Sequence, residues 1–269
     1  YALHAADYGI TVKEKPEADF EAIIKRSRSV AEGMSKGIQF LFKKNKIDHI
    51  QGFGVIRPGK KVDVTDSSGN MTTYEAPHII LASGARSREL PNLKIDGKKI
   101  IGYREAMTLP KQPASMIVVG SGAIGSEFAY FYHTIGTKVT LVELLPEIVP
   151  LEDEEVSKQL ARSFKKAGIS ILTSSSVESV DTEGGICRAT VRTPKGEEII
   201  EAEIVLSAVG IKSNIEGIGL EEVGIRVEKD KIRVDEFYRT TVEGYYAIGD
   251  LVPGLALAHV ASHEGITCV

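Results

Sequence analysis

Between Asp19 and Lys44 apolar residues recur near helical spacing, at Ile23, Ile24, Val30, Met34, Ile38, Leu41 and Phe42. This pattern predicts one long helix with an apolar face. Asp19 suits its N-cap, and Lys43, Lys44 and Lys46 suit its negative C-terminal end. From Ile47 the period shortens. "DHIQGFGVI", "KKVDVT" and "MTTYEA" alternate as strands do, with "DSSGN" as the turn between the last two. "HIILAS" is a continuous apolar run and predicts a strand buried on both faces. "GARSRELP" follows as a loop, and Pro110 and Pro113 bracket "LPKQP", where a domain boundary is expected.

A β-α-β unit comes next. Met116–Val119 predicts a strand, Ala123–Thr134 a helix and Lys138–Val142 a second strand. A helix over Asp153–Lys166 and a third parallel strand over Ile169–Leu172 continue the series. "SSVESVD", "CRATVRT" and "EEIIEAE" then alternate as an antiparallel meander with turns at "TEGG" and "PKGE". "IVLSAVG" is another doubly buried strand, "YYAIGD" a short strand, and "AHVASHEGI" starts a helix. Strands alternating with helices place the chain in the α/β class. Apolar strands run into glycine at Gly84, Gly120, Gly210 and Gly249. Ligands in such sheets bind beyond the carboxyl ends of strands, so more than one ligand edge is expected.

Composition narrows the function classes. The 269 residues carry a net charge of −4 with both signs interspersed, which points to neither nucleic acid nor an anionic membrane. No apolar run is long enough to span a bilayer, and no signal peptide is visible. The first residue is Tyr1 rather than Met, and "YALHAADYGI" reads like the tail of a helix, so a piece of a longer chain is expected. Cys187 and Cys268 lie far apart without metal or redox spacing and read as two reduced thiols. The histidines at 4, 49, 78, 133 and 263 have no ligand-like spacing, and no metal site is expected.

The chemistry concentrates in "GSGAIG", a G-x-G-x-x-G motif opening the Ala123 helix. Gly120 makes the tight turn, Gly122 lets backbone approach a pyrophosphate, and Gly125 lets the helix pack close to the strand. Ala123 and Ile124 supply N–H groups at the positive end of that helix. Glu143 closes the second strand at the spacing the fingerprint needs, where its carboxylate would accept the adenosine ribose hydroxyls and repel a 2′-phosphate. Leu144, Leu145 and Pro146 follow without an arginine, so the expected cofactor is NAD(H) and not NADP(H). Read locally, Glu127 is an acid of the first helical turn, complementing the helix dipole.

"HIILASGARSRELP", "IVVGSGAIGSEFA", "VELLPEIVP" and "YYAIGDLVPGLALAHVASHEGI" together resemble the two-dinucleotide, class I pyridine nucleotide-disulfide oxidoreductase family, in its dihydrolipoamide dehydrogenase branch. The resemblance runs along essentially the whole chain. It implies a Rossmann-like NAD domain over 112–240, inserted in a partial FAD domain of similar three-layer βα architecture over 1–111 and 241–269. "ASGA" resembles the family's A-T-G segment at the FAD/NAD domain crossing, with Ser83 for Thr. Ala82, Ser83 and Gly84 are thereby implied at FAD. Gly249 and Asp250 of "AIGD" would meet the ribityl chain, and Leu257, Ala258 and His259 the flavin edge. Gly210 would approach NAD, and Glu127 would lie near nicotinamide and flavin, with Ala123 small enough to leave the flavin face open.

After Gly210 the family often has Arg and then Pro-Asn, where this chain has Ile211, Lys212, Ser213 and Asn214. The first FAD fingerprint, the C-x4-C redox pair and the dimerisation domain with its His-Glu base are not among these residues, so no catalytic residue is assigned and the chain alone is expected to be inactive. The activity implied is oxidation of protein-bound dihydrolipoamide by NAD+ through FAD. Implied partners are lipoyl domains of 2-oxo acid dehydrogenase or glycine cleavage complexes, and a second subunit in a homodimer. Bacterial cytoplasm is the expected compartment, with the mitochondrial matrix as the alternative. Two other readings are a non-catalytic dinucleotide-binding module and another flavin-dependent, NADH-linked reductase or oxidase. "ALAH…EGI" and Glu143 weigh against the last.

Overall fold

The computed structural model describes residue 11 and residues 17–269. The helix-tail reading of residues 1–10, and His4 with it, lies outside the described residues. In chain order the first elements are α1 (Phe20–Lys44), β1 (Phe53–Arg57), β2 (Lys61–Thr65), β3 (Met71–Glu75), β4 (Ile79–Leu81), β5 (Ala85–Ser87), β6 (Ile100–Ile101) and α2 (Tyr103–Ala106). Next come β7 (Ser115–Val119), α3 (Ala123–Thr134), β8 (Lys138–Val142), α4 (Glu154–Ala167), β9 (Ser170–Leu172), β10 (Ser176–Asp181), β11 (Cys187–Thr193), β12 (Gly196–Ala202) and β13 (Ile204–Ser207). The last are β14 (Ile211–Ser213), α5 (Leu220–Val223), β15 (Val227–Glu228), β16 (Lys231–Ile232), β17 (Tyr245–Ala247) and α6 (Ala258–Cys268).

Backbone contacts group Ser87–Gly210 with the described residues before Ile38 in a central unit, and Ile38–Arg86 with Ile211–Val269 in a second unit. The reason is pairing and packing. β6 lies parallel to β13, Val205 opposite Ile100, which ties this segment to the central unit well before Pro110. After Gly210, residues Ile218, Leu220, Ile225 and Ile232 join the core of the other unit, with Ile79, Tyr245 and Leu251.

The central unit holds a parallel five-stranded sheet in the order β6-β13-β7-β8-β9. Parallel strands need covered faces, and both are covered here. On one face Ala129 and Tyr132 of α3 and Phe164 of α4 pack on Met116, Val118, Leu141 and Leu206. On the other, the antiparallel meander β10-β11-β12 packs Val177, Ala189, Val191 and Ala202 on Ile117, Val119, Val142 and Val205. β13, paired on both sides, is buried along most of its length, as its unbroken apolar run predicts.

The second unit holds the antiparallel sheet β1-β2-β3, the parallel pair β17-β4 and the pair β14-β5. Two expectations change here. "HIILAS" is not buried on both faces, since Ile79 and Leu81 are buried but Ile80 is 41% exposed. β4 pairs with β17 alone among the described residues, and the side chain of Ile80, on the face opposite Ile79 and Leu81, stays partly exposed. α1, whose residues up to Gly37 group with the central unit, forms where expected, with Ala22 N donating to Asp19 Oδ1 at 2.9 Å. Its apolar face, however, is buried only at Phe20, and Val30, Met34, Ile38 and Leu41 are all more than half exposed. Periodicity sets the helix; it does not supply what packs against it.

Candidate dinucleotide-binding site

β7, β13 and β8 run parallel and end level, Val119 lying opposite both Ser207 and Val142. The chain leaves β7 at Gly120, whose φ of +94° belongs to the left-handed region. A Cβ there would lie 2.5 Å from the Ala208 carbonyl oxygen, so the turn excludes any side chain. Gly125 is closed off more severely, because its Cβ would fall 1.9 Å from the Gly120 carbonyl oxygen. Helix α3 therefore meets the end of β7 at a distance only glycine permits.

Gly122 differs from both. It is exposed, has φ −62° and ψ −173°, and a Cβ on it would meet nothing within 4 Å. The fold has no steric need of glycine here. Gly122 is also the N-cap of α3 and offers no capping side chain, so the helix opens toward solvent with its first N–H groups uncapped. Ala123 is exposed and Ile124 half-buried beside it.

Ser121 holds the loop in place and was not singled out from the sequence. It is fully buried, and its N–H and Oγ both donate to Glu143 Oε2, at 2.8 and 2.6 Å. Its carbonyl accepts from Ser126 Oγ at 2.8 Å and from Val149 N at 3.0 Å. Glu143 is 7% exposed, and its Oε1 accepts from Leu145 N at 2.9 Å. A carboxylate has about four acceptor positions. Three are used inside the protein, so Glu143 braces the loop first and has about one position left for a ligand hydroxyl. Leu144 and Leu145 flank it as exposed apolar residues.

Glu127 is exposed and lies beyond the first turn of α3, which holds no acidic residue. The reading of it as a first-turn acid for the helix dipole is thus corrected. Gly210, with φ +108°, follows β13 at the same carboxyl edge as Gly120 and receives Arg88 N on its carbonyl at 3.0 Å.

In the second unit Ala82 and Ser83 are exposed and Gly84 has φ +68°. Ser83 Oγ donates to the Asn214 carbonyl at 2.7 Å, and Asn214 Nδ2 returns a bond to the Ser83 carbonyl at 2.9 Å. Asn214 thus acquires a role, locking this segment, that its place in the sequence did not disclose. Lys212 is paired with Glu216 at 2.6 Å, and Arg86 grips the same carboxylate through two nitrogens, at 2.9 and 3.0 Å. Hydrogen bonds from Arg86, then from Lys212, hold the Glu216 carboxyl well below the usual carboxylate range. The pair lies about half exposed, so solvent screens most of this stabilisation.

Gly249 (φ +67°) and Asp250 follow β17, and Leu257 precedes α6, whose first residues Ala258 and His259 are exposed.

The cysteines do not form a redox pair. Cys187 is fully buried in β11, its Sγ facing the carbonyls of Glu203 and Lys99 at 3.6 and 3.8 Å, and burial pushes its thiol up. Burial also raises Cys268. Thiol reagents attack the thiolate. Cys187 is therefore expected to resist Ellman's reagent in the native chain and to react at once in denaturant; native reaction of both thiols would contradict the burial described. His133 Nε2 sits 2.8 Å from the Ala167 carbonyl at the end of α4, and His78 contacts Tyr246 at 3.2 Å. No cluster of metal-ligating side chains occurs among the described residues, and no helix there is long and apolar enough to cross a membrane.

The family model of pyridine nucleotide-disulphide oxidoreductases matches residues 6–265. The chain belongs to this family. A dihydrolipoyl dehydrogenase of Rhizobium etli is 40% identical over all of this chain and 59% of its own length. One from Chlorobaculum parvum is 43% identical, over the whole chain and 57% of its own length. The crystal structure of LpdA from Mycobacterium tuberculosis superposes with a TM-score of 0.89 at 29% identity, covering 98% of this chain and 57% of that one. The chain thus spans little more than half the length of the relatives it matches.

Proposed function

We propose that the chain serves a flavin-dependent oxidoreductase that oxidises protein-bound dihydrolipoamide to lipoamide with NAD+ as acceptor. The observation that carries the nucleotide part is the open space at Gly122, beside the uncapped start of α3. A pyrophosphate fits there because backbone can approach it and helix N–H groups can donate to it. The Gly120–Gly125 loop would bind it, the free acceptor position of Glu143 would orient the adenosine ribose, and Gly210 would admit the dinucleotide at the same sheet edge. Ala123 and Glu127 stand as candidates for the nicotinamide side.

Ala82–Gly84, Gly249, Asp250 and Leu257–His259 would hold FAD, with the Asp250 carboxylate as acceptor for its ribityl hydroxyls. FAD, when bound, supplies the two-electron step between dithiol and nicotinamide. Lipoyl domains are the proposed substrates, a second subunit the proposed partner, and bacterial cytoplasm or mitochondrial matrix the proposed compartment. On this reading NAD would be held by residues of the central unit and the flavin by residues of the second, each set supported by its own core.

Titration of the chain with NADH and with NADPH tests the cofactor assignment. NADH is expected to bind at least about ten-fold tighter, a difference of ~1.4 kcal/mol, since Glu143 repels a 2′-phosphate. Equal affinities would overturn it. Purified chain is expected to lack a stoichiometric flavin absorption band and to show no lipoamide turnover by itself.

A further inference from the structure

Glu264 lies in α6 and is 6% exposed, and its carboxyl group enters no salt bridge among the described residues. A buried carboxylate needs donors. Glu264 Oε2 accepts from Gly249 N at 2.5 Å. Gly249 sits in the left-handed region at φ +67°, and a Cβ on it would press on Ala261 Cβ at 3.2 Å. Helix α6 therefore touches this turn twice, once by close packing and once by a charged hydrogen bond.

The next carbonyl is held as well. Asp250 O accepts from Ser213 Oγ at 2.6 Å and from Lys231 Nζ at 2.7 Å. Leu251 and Val252 follow into the core. The backbone of Asp250 is thus fixed on both sides, while its carboxylate makes no hydrogen bond or ion pair among the described residues. A loop whose main chain is bound this fully, with one acid left unspent, is preorganised to present that acid.

We propose that Glu264 is a positioning residue: through the Gly249 N–H it sets the turn that aims the Asp250 carboxylate at its ligand. This rests on reading Asp250 as the contact for the flavin ribityl chain, and the test separates the two claims. Hydrogen–deuterium exchange is followed by mass spectrometry in peptides covering Gly249–Leu251 of the chain. Glu264→Ala is expected to speed exchange there by about ten-fold or more, the loss of roughly 1.4 kcal/mol of local protection, with peptides of Ser115–Ser207 unchanged. Glu264→Gln keeps an oxygen acceptor and is expected to restore slow exchange. Unchanged exchange in Glu264→Ala would overturn the proposal, and so would equal acceleration in both variants. If Glu264→Ala unfolds the chain, the Gln variant decides: slow exchange at Gly249 upholds the clamp and fast exchange removes it. FAD is then added to the parent chain and to Asp250→Ala. Added protection in the parent alone supports the flavin reading. Equal added protection in both sinks that reading and leaves the clamp judged by the exchange data.

Discussion

Gly122→Ala is expected to fold like the parent chain and to lose most of its NADH affinity, whereas Gly125→Ala is expected to lose stability. Both replace a motif glycine by the same methyl group, so chemistry alone does not separate them. At Gly122 the backbone is extended and the methyl enters open space. The cost to folding should be under about 1 kcal/mol, since only a neutral N-cap position changes. The methyl does stand where a pyrophosphate would approach, and a loss of about ten-fold or more in affinity follows. At Gly125 the methyl falls 1.9 Å from a backbone oxygen that belongs to the Gly120 turn. Neither atom can rotate away. Overpacking of this kind costs about 3 kcal/mol, which exceeds the ~1 kcal/mol that alanine gains over glycine inside a helix. Denaturant melts and NADH fluorescence titrations on the two variants read both effects. Parent-like NADH binding by Gly122→Ala would mean that the bend is not reserved for phosphate.

Glu143→Ala should show both kinds of damage at once. Removing the carboxylate strands Ser121 N, Ser121 Oγ and Leu145 N, the first two in a fully buried residue. Each buried donor left unmade costs on the order of 1–3 kcal/mol, partly recovered by relaxation, so a net stability loss of about 2–3 kcal/mol is expected. NADH binding should weaken by a further ~1–3 kcal/mol through the lost ribose contact and the loosened loop. NADPH binding should change far less, because the repulsion of its 2′-phosphate disappears with the charge. The ratio of the two affinities is therefore the measurement to make. Undiminished NADH affinity in a folded Glu143→Ala chain would remove Glu143 from the site. Glu143→Gln is not expected to rescue fully. Its single oxygen can face Ser121 or Leu145, and the amide nitrogen then meets a donor on the other side.

Much of this architecture was legible before any coordinates. Ala123–Thr134 and Lys138–Val142 form as helix and strand over those residues, Asp19 caps α1, and the helix expected over Asp153–Lys166 forms as α4. The meander turns at "TEGG" and "PKGE" also fall in place. These features arise from periodicity, caps and turn chemistry, which act over a few residues and leave a trace in the local sequence. Glycines 120 and 125 were legible too, because their spacing encodes one bend of backbone.

Tertiary structure decided what the apolar stripes and buried polar groups meet. The stripe of α1 is real, yet most of it is uncovered; the apolar run of β4 is half-exposed, while the similar run of β13 is buried between two neighbours. A hydrophobic pattern states that a face prefers burial and cannot state what will bury it. The brace between Ser121 and Glu143 and the clamp between Gly249 and Glu264 were likewise beyond reach. Their partners are 22 and 15 residues apart in the chain, and a carboxylate finds a distant N–H only when packing has brought both out of water. The chain alone thus determined where backbone bends and which residues could carry charge to the sheet edge. Folding determined how that charge is divided between holding the loop and holding a ligand, because every buried donor must first be satisfied from within.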